Sequence, residues 1–316
     1  MTLRVAITGV SGDVGRGAIR GLRCNPPGAE PIWILGLDAG ASPEPDPDDR
    51  MRLPLVREPA YPEALKAALS RHEIEVLLPC IDSETAVLSD AREMLAQTGC
   101  KVVLAPPELV EAAEDKLLTS QFLSDHGIAA PSTFGTATVG ELVFPVLAKP
   151  RNGHASQGIK ILSDRAAAKE FIAASPRNYC FQRYVEGPEF TVGFLYDAHG
   201  VMQDAISMER SLEEGRTVRA RVVDNPDMQQ FISAFGERVP GIGAINAQLR
   251  WHDDDGPLVF EINARLSGST EMRIAIGVND PLRLVRHFGR GDAIAPACPQ
   301  LATVYRQGSE LQVDPC

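Results

Sequence analysis

Gly243-Ala244-Ile245-Asn246-Ala247-Gln248-Leu249-Arg250-Trp251, the polar turn His252-Asp253-Asp254-Asp255-Gly256-Pro257, and Leu258-Val259-Phe260-Glu261-Ile262-Asn263-Ala264-Arg265 read together as a β-hairpin. Apolar and polar side chains alternate on both sides of the turn, which sends them to opposite faces of each strand. With residues 253–256 as a four-residue loop, position 252 pairs with 257. That register sets Gln248 opposite Glu261 and Asn246 opposite Asn263. Glu261 and Asn263 are two apart and share a face, so Gln248, Glu261 and Asn263 form one patch of oxygen ligands. Hard Mg²⁺ prefers such ligands and completes its octahedron with water and phosphate oxygens. Arg265 continues the face and can bond a phosphoryl oxygen through its planar fork. Phe260 and Ile262 take the opposite face, which predicts a core-packed strand rather than a solvated edge hairpin. The run Asp253-Asp254-Asp255 reads as a solvated turn, not as a metal site.

Upstream, Val146-Leu147-Ala148-Lys149-Pro150 is a strand ending in a lysine, followed by Arg151-Asn152-Gly153-His154-Ala155-Ser156-Gln157-Gly158. A polar, glycine-bearing hairpin tip offers backbone N–H groups to phosphate oxygens, and Lys149 adds a point charge. Alone, the segment reads equally as a solvated hairpin. About thirty residues later comes Cys180-Phe181-Gln182-Arg183-Tyr184-Val185-Glu186-Gly187-Pro188-Glu189. An extended segment can present its backbone to a purine edge, and the Gln182 oxygen can accept from an exocyclic amine. Glu189, past a Gly-Pro turn, can accept from ribose hydroxyls.

The first third alternates strand and helix signals: strands at 4–8, 32–37, 75–79 and 101–105, helices at 14–22, 63–72 and 83–98, and a Pro/Asp-rich loop at 42–50. Such alternation predicts a parallel sheet covered by helices. A helix at 111–126 follows, stopping at Gly127. Beyond residue 144 the pattern is α+β: strands near 146–149, 158–162, 179–184, 190–196 and 201–207, and a helix at 166–174. Gly9, Gly12 and Gly15 lie between the first strand and the first helix. They suit a tight turn, a substrate contact or a dinucleotide site with Asp38, and the spacing is not the stricter G-x-G-x-x-G.

Length and charge bound the rest. The chain has 316 residues, 44% hydrophobic, with a formal net charge of −11. The acidic balance argues against non-specific nucleic-acid or anionic-membrane binding. No apolar stretch is long enough to span a bilayer. Six scattered cysteines form no C-x-x-C pair, and the expected location is the reducing cytoplasm.

Taken in order, Asp115-Lys116, Gly127-Ile128 with Pro131, the Lys149-Pro150 hairpin, the segment from Gln182 to Glu189, Gln248, and the run from Glu261 to Arg265 resemble the ATP-grasp superfamily. The nearest styles are the synthetase unit of carbamoyl phosphate synthase and stand-alone carboxylate–amine ligases. The resemblance implies an N-terminal α/β, Rossmann-like pre-ATP-grasp domain (1–110), an ATP-grasp N-lobe (111–186) and a C-lobe (187–316). It implies ATP and Mg²⁺, with Lys116 and Lys149 on the α- and β-phosphates. A loop from 152 to 158, with Gly153, Ser156 and Gly158, would close over the triphosphate. Gln182, Arg183 and Val185 would meet adenine, and Glu189 the ribose. Gln248, Glu261 and Asn263 would ligate Mg²⁺, and Arg265 would steady the transferred phosphoryl group. Arg210, Arg216 and Arg219 are candidates for holding a substrate carboxylate, with Arg219 assigned to the catalytic set. The sequence departs from the family pattern at Gln182 (commonly Glu), Ala155 (commonly Gly) and Ala264 (commonly Pro). The implied reaction joins a small-molecule carboxylate to an amine through an acyl phosphate, and a homodimer is an assembly such a ligase can adopt. A carbamoyl phosphate synthase-type subunit, a nicotinamide enzyme and a non-catalytic nucleotide sensor are the rival readings.

Overall fold

The computed structural model describes residues 2–40, 46–135, 142–153, 157–174, 178–308 and 310–315. The N-terminal elements are β1 (Leu3–Thr8), α1 (Asp13–Arg23), β2 (Ile32–Asp38), β3 (Asp49–Arg52), α2 (Tyr61–Arg71), β4 (Val76–Leu78), α3 (Asp82–Asp90), α4 (Arg92–Ala96) and β5 (Lys101–Val102). The strands form one sheet in the order β3-β2-β1-β4-β5, and every pairing is parallel. Leu3, Val5, Ala6 and Ile7 are all buried, as expected of a strand covered by helices on both faces.

Two helices lead out of this unit, α5 (Pro107–Glu114) and α6 (Lys116–Asp125). A small antiparallel sheet follows, from β6 (Thr133–Gly135), β7 (Val146–Pro150), β8 (Lys160–Leu162) and β9 (Tyr179–Arg183), in the order β6-β9-β7-β8, with α7 (Arg165–Ala174) between β8 and β9. The remaining chain makes β10 (Glu189–Tyr196), β11 (Met202–Glu213), β12 (Arg216–Val222), α8 (Pro226–Arg238), β13 (Gly243–His252), β14 (Gly256–Asn263), α9 (Thr270–Ala275), α10 (Asp280–Arg290), β15 (Ala302–Gln307) and β16 (Glu310–Pro315). Its strands form a seven-stranded antiparallel sheet, β14-β13-β10-β11-β12-β15-β16. Helix α10 packs back on the first sheet: Leu284 and Val285 share a core with Leu3, Val5, Ile7, Val76 and Leu78.

Several expectations are corrected. The surface loop at 42–50 ends in an edge strand, since Asp49–Arg52 pairs with β2. Its Asp-Arg-Met-Arg sequence has no apolar run to signal it. The helix expected at 83–98 is broken at Ala91, and the one at 111–126 at Asp115, which takes an extended conformation (φ −136°, ψ 122°). Asp115 caps α6 by accepting from Leu117 N at 2.9 Å, the local bond by which Asp competes with helix continuation. The strand expected at 201–207 runs to Glu213, and β12, α8, α9, α10, β15 and β16 were not foreseen.

The hairpin turn also differs. His252 pairs with Gly256, not with 257, so the loop has three residues, and Gly256 supplies the left-handed position at φ 72°. A β-bulge then intervenes: Leu249 faces Val259 while Gln248 faces Glu261, leaving Phe260 as the extra residue. The bulge restores the expected pairing of Gln248 with Glu261 and of Asn246 with Asn263. It also overturns the expectation for Phe260. Val259 enters the core, and Phe260 is only half-buried.

The glycine loop is a close-packed turn. Gly9 sits at φ 60°, Gly12 N donates to Gly9 O at 2.9 Å, and a Cβ on Gly15 would lie 2.4 Å from that same oxygen. Gly15→Ala must therefore displace backbone rather than a side-chain tip. We expect it to cost about 1–3 kcal/mol, read as a lower urea midpoint at unchanged slope. An unchanged midpoint would show that the α1 start is not packed on Gly9.

Candidate active site

Two cavities meet at the β13–β14 hairpin. The smaller, about 430 Å³, lies between the small sheet and the large one. The larger, about 680 Å³, lies between the large sheet and the C-terminal ends of the parallel strands. Gln248 and Glu261 border both, as does Arg210.

The helix break at Asp115 builds one wall of the smaller cavity. It starts α6 at Lys116, whose Nζ donates to Gly153 O at 3.0 Å. The Asp115 carboxylate meanwhile takes a forked pair of bonds from Arg151, 2.9 Å from Nε and 2.5 Å from Nη2. Asn152 Nδ2 adds a bond to Glu114 O at 2.7 Å. Residues 151–153, just after β7, are thus tied down beside Lys116. Gly153 and Gln157 border the cavity. Gly158 turns the chain at φ 72° beside Pro150. Ser156 lies outside the described residues.

Lys149 is 5% exposed. Its Nζ donates to Gln182 Oε1 at 2.6 Å and lies 4.8 Å from the centre of the Phe260 ring. Gln182 Nε2 in turn donates to Thr133 Oγ1 at 3.0 Å. The Gln182 oxygen expected to face a purine amine is therefore already an acceptor for Lys149. Burial lowers the Lys149 pKa from 10.5 to about 8, although the nearby Glu261 charge opposes the shift. Val185 and Arg183 also border this cavity, with Ile159, Ile161, Leu212 and Phe260 as its apolar surfaces. Arg183 Nη1 reaches Asp255 Oδ2 at 2.6 Å, and this bond holds the Asp255 carboxyl below its ordinary range. The acidic turn is thus an ion-pair partner of the adjacent sheet, and no cluster of three metal-binding acids, histidines or cysteines occurs among the described residues.

Glu189 stands between two arginines directly across the neighbouring strands, Arg210 on β11 and Arg250 on β13. Its Oε1 accepts from Arg210 Nε (3.0 Å) and Nη2 (2.8 Å), and its Oε2 from Arg250 Nη2 (2.9 Å). Arg210 Nη2 also donates to Gln248 Oε1 at 2.7 Å. Glu261 Oε1 accepts from Asn263 Nδ2 at 3.2 Å, and Asn263 Oδ1 from Arg265 Nη2 at 3.4 Å. The donor set fits a hard dication: only oxygens, one of the three residues a carboxylate, and all on facing strands. Arg265 is paired with Asp82 and has a buried Nε that makes no hydrogen bond among the described residues.

Of the three arginines proposed for a substrate carboxylate, Arg210 and Arg216 border the larger cavity and Arg219 borders neither. The cause is a bulge in β12. Thr217 pairs with Leu212 but Arg219 with Ser211, so Val218 is extra and Arg219 leaves the face of Thr217. Arg219 lies instead 4.0 Å from Glu209 and 6.0 Å from the Tyr305 ring. Sequence reasoning missed Arg250, Thr133 and the Phe260 ring. Arg250 was visible as the directly facing residue of Glu189 once β10 and β13 are paired.

The larger cavity is floored by the glycine loop. Asp38 Oδ2 accepts from Ser11 N (2.8 Å) and Ser11 Oγ (2.6 Å), and Asp13 at the start of α1 is held by Arg216. Beneath it Glu84 is fully buried, accepting from Thr8 (2.6 Å) and Tyr61 (2.5 Å). Burial raises its pKa to about 7, against those two bonds.

Gly153, the buried Lys149 and the carboxylate–amide patch of Gln248, Glu261 and Asn263 lie around a cleft between two antiparallel sheets. Residues 113–269, which contain nearly all of these groups, match the model of the ATP-grasp domain, and the chain carries an ATP-grasp domain. It is homologous to carbamoyl phosphate synthase large chains: 32% identical over 130 residues to that of Streptomyces avermitilis (35% of this chain, 12% of the relative). To that of Gemmatimonas aurantiaca it is 26% identical over 216 residues (59% and 19%). The chain thus spans less than a fifth of the length of these relatives. Its fold resembles L-amino acid ligase from Bacillus licheniformis (TM-score 0.71, 15% identity, 96% of this chain and 78% of that one). It also resembles N5-carboxyaminoimidazole synthetase from Staphylococcus aureus complexed with ADP (TM-score 0.76, 13% identity, 96% and 82%). No helix among the described residues is long and apolar enough to cross a membrane.

The Lys149 environment gives a pH dependence. In the nucleotide-free protein the amine is half-protonated near pH 8. Phosphate oxygens placed beside it would favour its charged form and raise its pKa, so nucleotide binding there would take up a proton above that pH. ADP affinity should fall by up to about tenfold per pH unit above pH 8. Titration calorimetry in buffers of different ionisation enthalpy reads the proton directly. Affinity that stays flat between pH 7 and 9 in the wild type would contradict this, and Lys149→Met should remove the slope.

Proposed function

We propose that the protein is an ATP-dependent ligase that activates a substrate carboxylate as an acyl phosphate and couples it to an amine. One observation carries the reading: Gln248 and Glu261 border both cavities, so a metal-bound triphosphate in the smaller would present its terminal phosphate to the larger. Lys116, Lys149 and the Gly153 tip would hold phosphates, while Val185 and Phe260 enclose the base. Glu189, fixed by its two arginines, would orient the ribose. Gln248, Glu261 and Asn263 would hold Mg²⁺, which when bound neutralises phosphate charge and aligns the terminal group.

The carboxylate oxygen attacks the terminal phosphorus and ADP leaves. The amine nitrogen then attacks the acyl carbon, and phosphate leaves with the bonding electrons while the amine gives up a proton. Arg265, which borders the larger cavity, supplies positive charge at the junction. The chain's role is positioning and charge neutralisation. Bicarbonate is a second reading of the carboxylate, favoured by the sequence relatives. The 680 Å³ cavity, lined also by Leu53, Val56 and Tyr61, favours a larger, partly apolar substrate.

The test is ADP and phosphate release from ATP with pooled amino acids, other amines, small carboxylates and bicarbonate, with products read by mass spectrometry. Substrate-stimulated release is expected. Intact ATP binding without stimulation by any pool would favour a nucleotide sensor. Glu261→Ala should lower turnover on the order of a hundredfold or more. Activity surviving within about tenfold would remove Glu261 from the metal site.

A further inference from the structure

Among the described residues, Arg210 is the one side chain bonded both to the group read as the ribose ligand and to a group read as a metal ligand. It reaches from β11 across β10, with Nε and Nη2 on Glu189 Oε1 and Nη2 also 2.7 Å from Gln248 Oε1 on β13. Its side chain is 10% exposed, and it borders both cavities. Its remaining donor, Nη1, makes no hydrogen bond among the described residues. The oxygen expected to ligate a dication is therefore already bonded to a monocation.

A metal and a guanidinium on one amide oxygen repel each other, and low solvent access leaves that repulsion poorly screened. We propose that Arg210 is a displaceable positioning residue that competes with the metal for Gln248 and, once displaced, offers its free N–H groups to an oxyanion in the larger cavity. The inference rests on the proposed metal role of Gln248. Glu189 keeps hold of Nε, so the guanidinium pivots and is not expelled. Its fork then matches the two oxygens of a carboxylate. Filling of the nucleotide cavity thus completes the acceptor cavity, and acceptor binding follows nucleotide binding.

The test uses the full chain saturated with ADP, Mn²⁺ as the metal probe and acetate as the oxyanion probe. Mn²⁺ affinity is read from the free-ion electron paramagnetic resonance signal. Arg210→Met removes the competing charge at similar length and should tighten Mn²⁺ by about tenfold. Gln248→Met should weaken it by at least tenfold, and the double variant should match Gln248→Met. Arg210→Lys, which keeps a cation for Glu189 without the spanning fork, should tighten Mn²⁺ severalfold and serves if the Met variant does not fold. A purely structural role would weaken ADP and Mn²⁺ together. Relaxation of ¹³C-acetate by bound Mn²⁺ should be seen in the wild type and lost in Arg210→Met with Mn²⁺ still bound. Mn²⁺ affinity unchanged within twofold or weakened in both Arg210 variants, or acetate relaxation that persists without the arginine, overturns the proposal. If Gln248→Met and Glu261→Ala also leave Mn²⁺ affinity unchanged, the metal assignment falls with it.

Discussion

One extra residue in β14 sets the geometry on which the site depends. The hairpin closes with His252 opposite Gly256, a register that would bring Gln248 opposite Phe260 if it continued. A regular ladder in that register would put the aromatic ring where the carboxylate is needed, because each side chain's face follows from its register. The bulge absorbs Phe260, returns Glu261 to Gln248, and leaves Val259 and Ile262 in the core. Val259 N also bonds Ala129 O at 2.9 Å, so the strand is held on its outer edge by the segment after α6. The oxygen-bearing face of Gln248, Glu261 and Asn263 and the floor of the smaller cavity are thus consequences of one backbone irregularity.

Around that strand, cations are held by protein oxygens. Lys149 has Gln182, Arg210 has Glu189 and Gln248, and Arg265 has Asp82. Charges this far from water are tolerated only when paired or when the group gives up its charge, and Lys149, with only a neutral amide as its direct bond, shows the second response in its lowered pKa. A polyphosphate entering such a site exchanges one set of anionic or amide oxygens for another. The groups are already oriented, and little reorganisation remains for the moment of reaction.

The oxygen patch was legible because period-two alternation puts Glu261 and Asn263 on one face whatever the turn does. The pairing with Gln248 was reached through two departures that cancel: a loop one residue shorter than expected and a bulge that restores the difference. Phe260 fell on the wrong side of that cancellation, and Arg219 fell to the same kind of event at Val218. Bulges are set by how an extra residue fits the sheet, not by any residue type, so alternation alone does not reveal them. The break at Asp115 was within reach, since an Asp two residues before the bonded N–H is a capping pattern. The strand Asp49–Arg52 was not, because an exposed edge strand needs no apolar side chain.

The glycine loop shows how a familiar pattern serves another purpose. In an open parallel sheet, ligands bind beyond the carboxyl ends of the strands, near the point where strand order reverses. Here that point is β1, and Gly9, Asp38 and Cys80, at or just past the ends of β1, β2 and β4, all border the larger cavity. A dinucleotide would need the α1 N-terminus for its pyrophosphate and Asp38 for a ribose. The chain places its own Asp13 carboxylate at that helix start and holds it with Arg216 from β12. Ser11 bonds Asp38 through both backbone and hydroxyl. Both positions are thus engaged by groups of the chain itself. The Arg216–Asp13 bonds tie the start of α1 to the large antiparallel sheet, so the loop closes one side of the cavity that the β13–β14 hairpin opens into.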